Sequence, residues 1–249
     1  MVINDDKTHL IVMGTRRMDE KRKMFDIKAG NHTISPSKQG RLLGCIVSDN
    51  LKWRNHILDG EQSLVKQLTS RVNALCTLSS KADFSTRLMT ANGIIMSKVC
   101  YLIQVWGGCE GYLLHSLQVL VNKAARLVTR SRGFTSTRKL MTACGWLSFK
   151  QLVVYQSEIM VHKTFLTRKP AYLHKRLNTE YSYRTRQQTS GWIRLDQTFR
   201  YNGDIPRNSF RYRGANYYNS IPNEIRASQT MATFKSKLKK WIRTNISLE

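Results

Sequence analysis

Val2-Ile3-Asn4-Asp5-Asp6-Lys7-Thr8-His9-Leu10-Ile11-Val12-Met13-Gly14 is the stretch on which the reading of this 249-residue chain turns. Adjacent aspartates belong to the equipment of two-metal polymerases and nucleases, where several carboxylates converge on Mg²⁺ ions about 4 Å apart. Such a pair normally sits on a hairpin between two apolar strands, with another carboxylate from a separate strand. Here a short segment ending in Asn4 precedes the pair, Lys7-Thr8 follows at once, and the apolar run comes only afterwards. The pattern predicts a polar turn feeding a strand over 10–13, with Asp5 and Asp6 holding no metal.

Working outward, a second short apolar run covers 42–47, and turn signals stand at Gly30-Asn31, Ser35-Pro36 and Asp49-Asn50. Between the runs, 16–23 is a charged stretch expected to be a solvated loop. Two or three strands do not make an independent sheet and need further strands or a helix against their apolar face. From 61 onward the period becomes helical. Leu64, Leu68, Val72 and Leu75 mark one helix. Phe84, Leu88, Ile95, Val99, Leu102, Ile103 and Trp106 mark a second, interrupted at Asn92-Gly93 and ended by Gly107-Gly108. Leu113, Leu117, Leu120, Val121, Ala124 and Leu127 mark a third. A fourth is predicted over 146–166, stopped near Pro170, and a last one over 230–243 with Thr230 as candidate N-cap.

Forty-one Lys and Arg against sixteen Asp and Glu give a formal charge of +25. That excess speaks of polyanionic partners rather than of fold. It is uneven: +5 over 1–57, +5 over 58–135 and +15 over 136–249. Five dispersed cysteines without a CxxC pair, and no clustered histidines, match no zinc site. With no leader segment they point to a reducing, intracellular setting, nuclear or cytoplasmic. No run approaches the ~18 apolar residues of a membrane span. Phosphate-binding glycine loops, nucleophile elbows and recognisable catalytic triads are all missing from the sequence.

Lys123, Arg126 and Arg130, followed by Arg132, step by 3, 4 and 2, and the first three share one side of the third helix. They form either a solvated face or a row able to follow phosphates. After Asn178 aromatic residues (Tyr181, Tyr183, Trp192, Phe199, Tyr201, Phe210, Tyr212, Tyr217, Tyr218) interleave with Arg184, Arg186, Arg194, Arg200, Arg207, Arg211 and Arg213. Bases stack on aromatic rings while Arg holds phosphate. The plainer alternative is a strand-and-loop layer with its aromatics in the core and its arginines in water.

The Asn4-x-x-Lys7-Thr8 turn with its apolar run resembles the segment just downstream of the catalytic aspartates in reverse transcriptases of non-LTR (jockey-like, LINE-type) retrotransposons. Further matches follow in the family's order. They are Leu42-Leu43-Gly44-Cys45-Ile46-Val47, then Asn50-Leu51-Lys52-Trp53-Arg54-Asn55-His56-Ile57 opening a helix, and Ser209-Phe210-Arg211-Tyr212-Arg213-Gly214. Asn219-Ser220-Ile221-Pro222-Asn223-Glu224-Ile225-Arg226 and Phe234-Lys235-x-x-Leu238-Lys239-Lys240-Trp241 complete the series. One departure is Tyr218, where the family usually has Trp.

The resemblance implies an α+β, mostly helical fold with three parts. Short antiparallel strands of a palm edge occupy 1–57, a thumb-like helical bundle 58–135, and a basic helix-plus-strand module 136–249. It implies a fragment of an RNA-directed DNA polymerase whose Mg²⁺ is held by aspartates upstream of residue 1, with no cofactor in this chain. Lys7 would lie near the incoming nucleotide's phosphates and Leu43-Gly44 would support the primer end. Lys52, Arg54, Lys123, Arg126, Arg130, Arg132, Arg184, Arg186, Arg194, Arg211 and Arg213 are the candidate contacts to RNA, DNA or a hybrid. The chain is expected to bind template–primer without polymerising, with the rest of the polymerase as a further partner and no membrane. The alternative is a structural remnant that binds protein through its palm edge, or a domesticated sequence-tolerant binder. A helix-turn-helix reading is disfavoured by the length of the helices.

Overall fold

Hairpins rather than a continuous sheet come from the short apolar runs of the first residues. The computed structural model describes residues 8–14, 25–29, 32–131, 133–177 and 207–246, and the chain divides into two units, Met1–Gln67 and Leu68–Glu249. In the first unit β1 (Ile27–Ala29) pairs antiparallel with β2 (His32–Ile34), Ala29 opposite His32, on either side of the Gly30-Asn31 turn signal. β3 (Gln39–Leu42) pairs with β4 (Cys45–Ser48), Leu42 opposite Cys45. The 42–47 run is therefore not the single strand expected. Leu43 and Gly44 have φ of 48° and 82°, the positive values a two-residue type I′ hairpin turn needs at both central positions.

Residues 10–13 also fail to form the expected strand. Leu10 makes one parallel bridge, to Pro36, and proline has no N–H with which to extend a ladder. Ser37 supplies the donors instead, giving both its backbone N–H (2.8 Å) and its hydroxyl (3.1 Å) to the Leu10 carbonyl. The Trp53-to-Ile57 motif opens a π turn, Asn55–Asp59, that buries His56 and Ile57. His56 Nδ1 accepts the Ile46 N–H at 3.3 Å, so its Nε2–H faces Cys45 Sγ at 3.8 Å.

α1 (Leu64–Ser79) carries the predicted stripe, with Leu68, Val72 and Leu75 fully buried. α2 (Phe84–Ala91) is capped by Asp83, whose carboxylate accepts the Thr86 N–H at 3.2 Å. Asn92 and Gly93 do not interrupt this helix as expected. They open a π-helical stretch, Asn92–Met96, that runs straight into α3 (Ser97–Cys100), and Arg71 Nη1 donates to the Ile94 carbonyl inside it. The break comes later, at Leu102 with φ of 53°, before α4 (Ile103–Trp106) and Gly107-Gly108. A Cβ on Gly107 would meet the Val153 side chain at 2.8 Å, so only glycine lets the chain pass there.

α5 (Gly111–Thr129) buries Leu113, Leu117, Val121 and Ala124 as predicted and packs on α6 (Thr137–Cys144), a short helix the periodicity did not reveal. α7 (Phe149–Thr167) starts three residues later than predicted because Ser148 is its cap. The Gln151 N–H donates to Ser148 Oγ and the Ser148 N–H to Gln151 Oε1, a reciprocal capping box. α8 (Ala171–Leu177) begins just after Pro170. α9 (Phe210–Ser220), α10 (Asn223–Arg226) and α11 (Met231–Asn245) complete the described chain, and Thr230 Oγ1 does cap α11 by accepting the Thr233 N–H at 3.3 Å. The aromatic–arginine residues of 207–218 thus lie on helix, not on strand. The rest of that tract lies outside the described residues.

α7 packs against α4, α5, α8, α9 and α11, which makes it the axis of the second unit. The position 135/136, expected as a junction, falls inside that unit. Among the described residues the architecture is mostly helical with two antiparallel strand pairs. Holding a leucine in the left-handed region costs ~1–2 kcal/mol, and Leu43 is 76% exposed. Leu43→Asn, which creates the favoured Asn-Gly turn, should raise stability by ~1 kcal/mol in urea unfolding. A fall would mean that leucine contacts outweigh the backbone strain.

Candidate nucleic-acid interface

A cation binds an external anion only if the fold has not already turned it inward. In the first unit Leu42 and Leu43 stand out at the β3–β4 tip, 65% and 76% exposed. Lys52 is exposed, with its backbone N–H on Asn50 Oδ1 at 2.9 Å. Arg54 pairs with Asp59 at 2.5 Å on the surface. Beside them lies a cleft of about 570 Å³ whose lining includes Gln39, Arg41, Gly44, Asn55 and Gln62. Its polar side chains orient one another: Asn55 Nδ2 donates to Gln39 Oε1 at 2.9 Å and Arg41 Nη1 to Gln62 Oε1 at 2.7 Å. Among the described residues no group of three or more His, Cys, Asp or Glu could hold a metal ion. Asp5, Asp6 and Lys7 lie outside the described residues.

The predicted row on α5 is only partly a row. Lys123 is exposed, whereas Arg126 is half-buried with Nε unbonded. Arg130, at the C-cap with φ of 52°, sends Nη2 to the carbonyls of Ser79 (3.0 Å) and Ser80 (3.2 Å). Its guanidinium ties the end of α1 to the end of α5 while remaining exposed. Arg87, which the sequence reading passed over, does similar work from within. It is buried and donates from Nε to Val128 O at 2.9 Å and from Nη1 to Ala82 O at 2.6 Å. Arg132, Arg184, Arg186 and Arg194 lie outside the described residues.

On α9 Arg211 is half-buried, but Arg213 is buried and faces the core. Its Nε donates to Asn208 O at 2.9 Å and its Nη2 to Gln104 O at 3.1 Å. Gly108 makes room for it, since a Cβ there would meet the guanidinium nitrogen at 2.7 Å. As a phosphate contact Arg213 is displaced inward, because its fork satisfies backbone carbonyls that would otherwise be orphaned.

Nearby Glu158 is fully buried, and neither carboxylate oxygen has a hydrogen-bond partner. Burial pushes its carboxyl well above the usual range, against the pull of the Arg213 charge. One turn along α7, His162 Nε2 lies 3.0 Å from the Ser228 carbonyl and so must carry the proton. Nδ1 then accepts the Tyr218 O–H at 3.0 Å. Phe234 stacks on the imidazole at 3.7 Å and 8°. Burial lowers the His162 pKa, with Ser228 opposing, and raises the Tyr218 phenol to about 12. The one departure from the family motif, Tyr218, is thus a core hydrogen-bond donor. This group holds helices together.

What remains outside is mostly positive charge. Over described residues 111–177 and 207–246 there are twenty Lys and Arg but two carboxylate side chains, Glu158 and Glu224. Arg138, Lys139, Lys150, Lys163, Arg168, Lys169, Lys175, Arg176 and Lys237, none singled out by motif or periodicity, are all exposed. So are Lys235, Lys240 and Arg243 on α11. The regional excess of +15 was the only signal that could have found them. No helix among the described residues is long and apolar enough to cross a membrane. No protein-family model, curated protein or solved structure matches the chain.

A carboxyl with a raised folded pKa loses stability as pH climbs from its unfolded value, about 4.5, towards the folded one. Glu158→Gln cannot ionise. Its melting temperature relative to the parent should therefore rise between pH 4 and pH 7, and it should be the more stable form at pH 7. A less stable variant at pH 7 would show that an ionised Glu158 is what Arg213 requires.

Proposed function

We propose that this chain is the C-terminal portion of a non-LTR retrotransposon reverse transcriptase, and that its work is to grip template–primer nucleic acid rather than to polymerise. The observation that carries the reading is the basic excess over described residues 111–177 and 207–246, where one of only two carboxylate side chains is buried. Phosphate contacts of this kind give tight, sequence-tolerant, salt-dependent binding through counterion release. The order of the family-like motifs supports the origin, and the strained Leu43-Gly44 tip with two exposed leucines supports a contact role for the hairpin. In the complete polymerase Mg²⁺ would supply the charge stabilisation of phosphoryl transfer. The residues of this chain would bind and orient.

Within the grip the roles divide by exposure. Lys123, Arg138, Lys139 and the α11 cations Lys235, Lys240 and Arg243 meet phosphates, while Arg87 and Arg213 fix the helices that present them. A second reading rests on the first unit, which exposes Ile27 and Leu42 on two-stranded ladders and Phe25 and Leu43 close to them in sequence. Those open edges suit strand addition by the rest of the polymerase or another protein.

If ~6–10 phosphates are neutralised, affinity for a mixed-sequence oligonucleotide should fall ~10³–10⁵-fold between 50 and 200 mM salt. Lys123→Glu and Lys139→Glu should each flatten the log–log slope by about one or more. A flat titration of the parent chain sinks the nucleic-acid reading. Partners that survive nuclease treatment of a pull-down and disappear on Leu42→Asp would favour the protein-binding one.

A further inference from the structure

Phe134 is the one large apolar side chain among the described residues with nothing resting on it, at 102% of full exposure. Its loop is nevertheless fixed at both ends. On one side Arg130 is tied to the Ser79 and Ser80 carbonyls, and the Thr129 and Ser131 hydroxyls hydrogen-bond at 2.7 Å. On the other, Gln118 Nε2 donates to Asn122 Oδ1 at 2.9 Å, and Asn122 Nδ2 donates to Thr137 Oγ1 at 3.0 Å. Between these anchors Gly133 has no atom within 4 Å of where its Cβ would be, so the ring's neighbourhood is open.

The electrostatic setting has one sign. Arg130, four residues before the ring in sequence, and Arg138 and Lys139, four and five after it, are exposed, and no Asp or Glu occurs between Glu110 and Glu158. A flat apolar face held among cations suits a ligand with aromatic faces on an anionic chain. We propose that Phe134 is a stacking platform for one unpaired base of a bound single strand, its phosphates meeting Arg138 and Lys139. The inference rests on the nucleic-acid reading above and adds a preference to it. A paired base has its faces covered by its neighbours, so the ring favours single strand over duplex. An anionic bilayer would also offer charge and apolar matter. Yet Ser131, Gly133, Thr135 and Ser136 leave one ring and no apolar patch of the size an interfacial anchor needs.

The test compares parent, Phe134→Ala and Phe134→Trp at one fixed salt concentration. The ligands are a 12-nucleotide single strand carrying 2-aminopurine and the corresponding blunt duplex. Phe134→Ala should lose roughly 5- to 150-fold for the single strand, the change expected for one stacked base. Its duplex affinity should stay within about twofold and its salt slope should not move. Phe134→Trp should retain single-strand affinity and the quenching of 2-aminopurine. Unchanged single-strand affinity in Phe134→Ala, or equal loss on both ligands, overturns the inference while leaving the grip intact. Lost binding to anionic phospholipid vesicles with oligonucleotide binding preserved overturns it in favour of a membrane contact. If the parent chain binds neither nucleic acid, the nucleic-acid reading fails and this inference fails with it.

Discussion

The enclosure of helix Phe149–Thr167 is the constraint on which the second unit depends. Its buried residues include Leu152, Val153, Val154 and Val161, but also Gln151, Ser157, Glu158, His162 and Thr164. A helix buried on nearly every side loses stability wherever its neighbours leave a polar group unanswered, as they do at Ser157 Oγ and both Glu158 oxygens. Gln151 by contrast reaches the Ile246 carbonyl at 2.9 Å, and His162 is held between Tyr218 and Ser228. These contacts fix α9 and α11 against α7 more specifically than apolar packing could, since each bond fixes a direction as well as a distance.

The same logic sorts the arginines into two populations. Arg87 and Arg213 are inside because helix ends and turns leave carbonyls that a guanidinium fork can satisfy several at a time. Arg130 does this from the surface, and Arg243 joins α11 to the end of α6 through the Gly145 carbonyl at 3.1 Å. Net charge alone overstates what is offered to a partner, and the internal arginines are part of how the exposed ones come to be held in place.

Much of the helical core was legible because burial follows period. Leu68, Val72, Leu75, Leu113, Leu117 and Val121 are where the 3.6-residue stripe placed them. Thr230 was legible as a cap because its hydroxyl precedes an apolar period. What failed was local backbone conformation. Leu43 reads as a strand residue, and nothing in a leucine announces a positive φ. Asn92-Gly93 reads as a breaker, yet a π turn absorbs it once Arg71 meets the Ile94 carbonyl, a partner 23 residues away. At the candidate interface, helical spacing singled out Lys123, which is exposed. The aromatic–arginine interleaving singled out Arg213, whose inward turn depends on Gln104, more than a hundred residues earlier. Phe134 lies in a stretch with no period, where sequence patterning has nothing to say about exposure.

The shortage of carboxylates in the second unit has a consequence for control. The exposed charges there are mostly carried by Lys and Arg. A surface of this kind is acutely responsive to ionic strength. It would hold or release a polyanion according to the salt and competing polyanions around it.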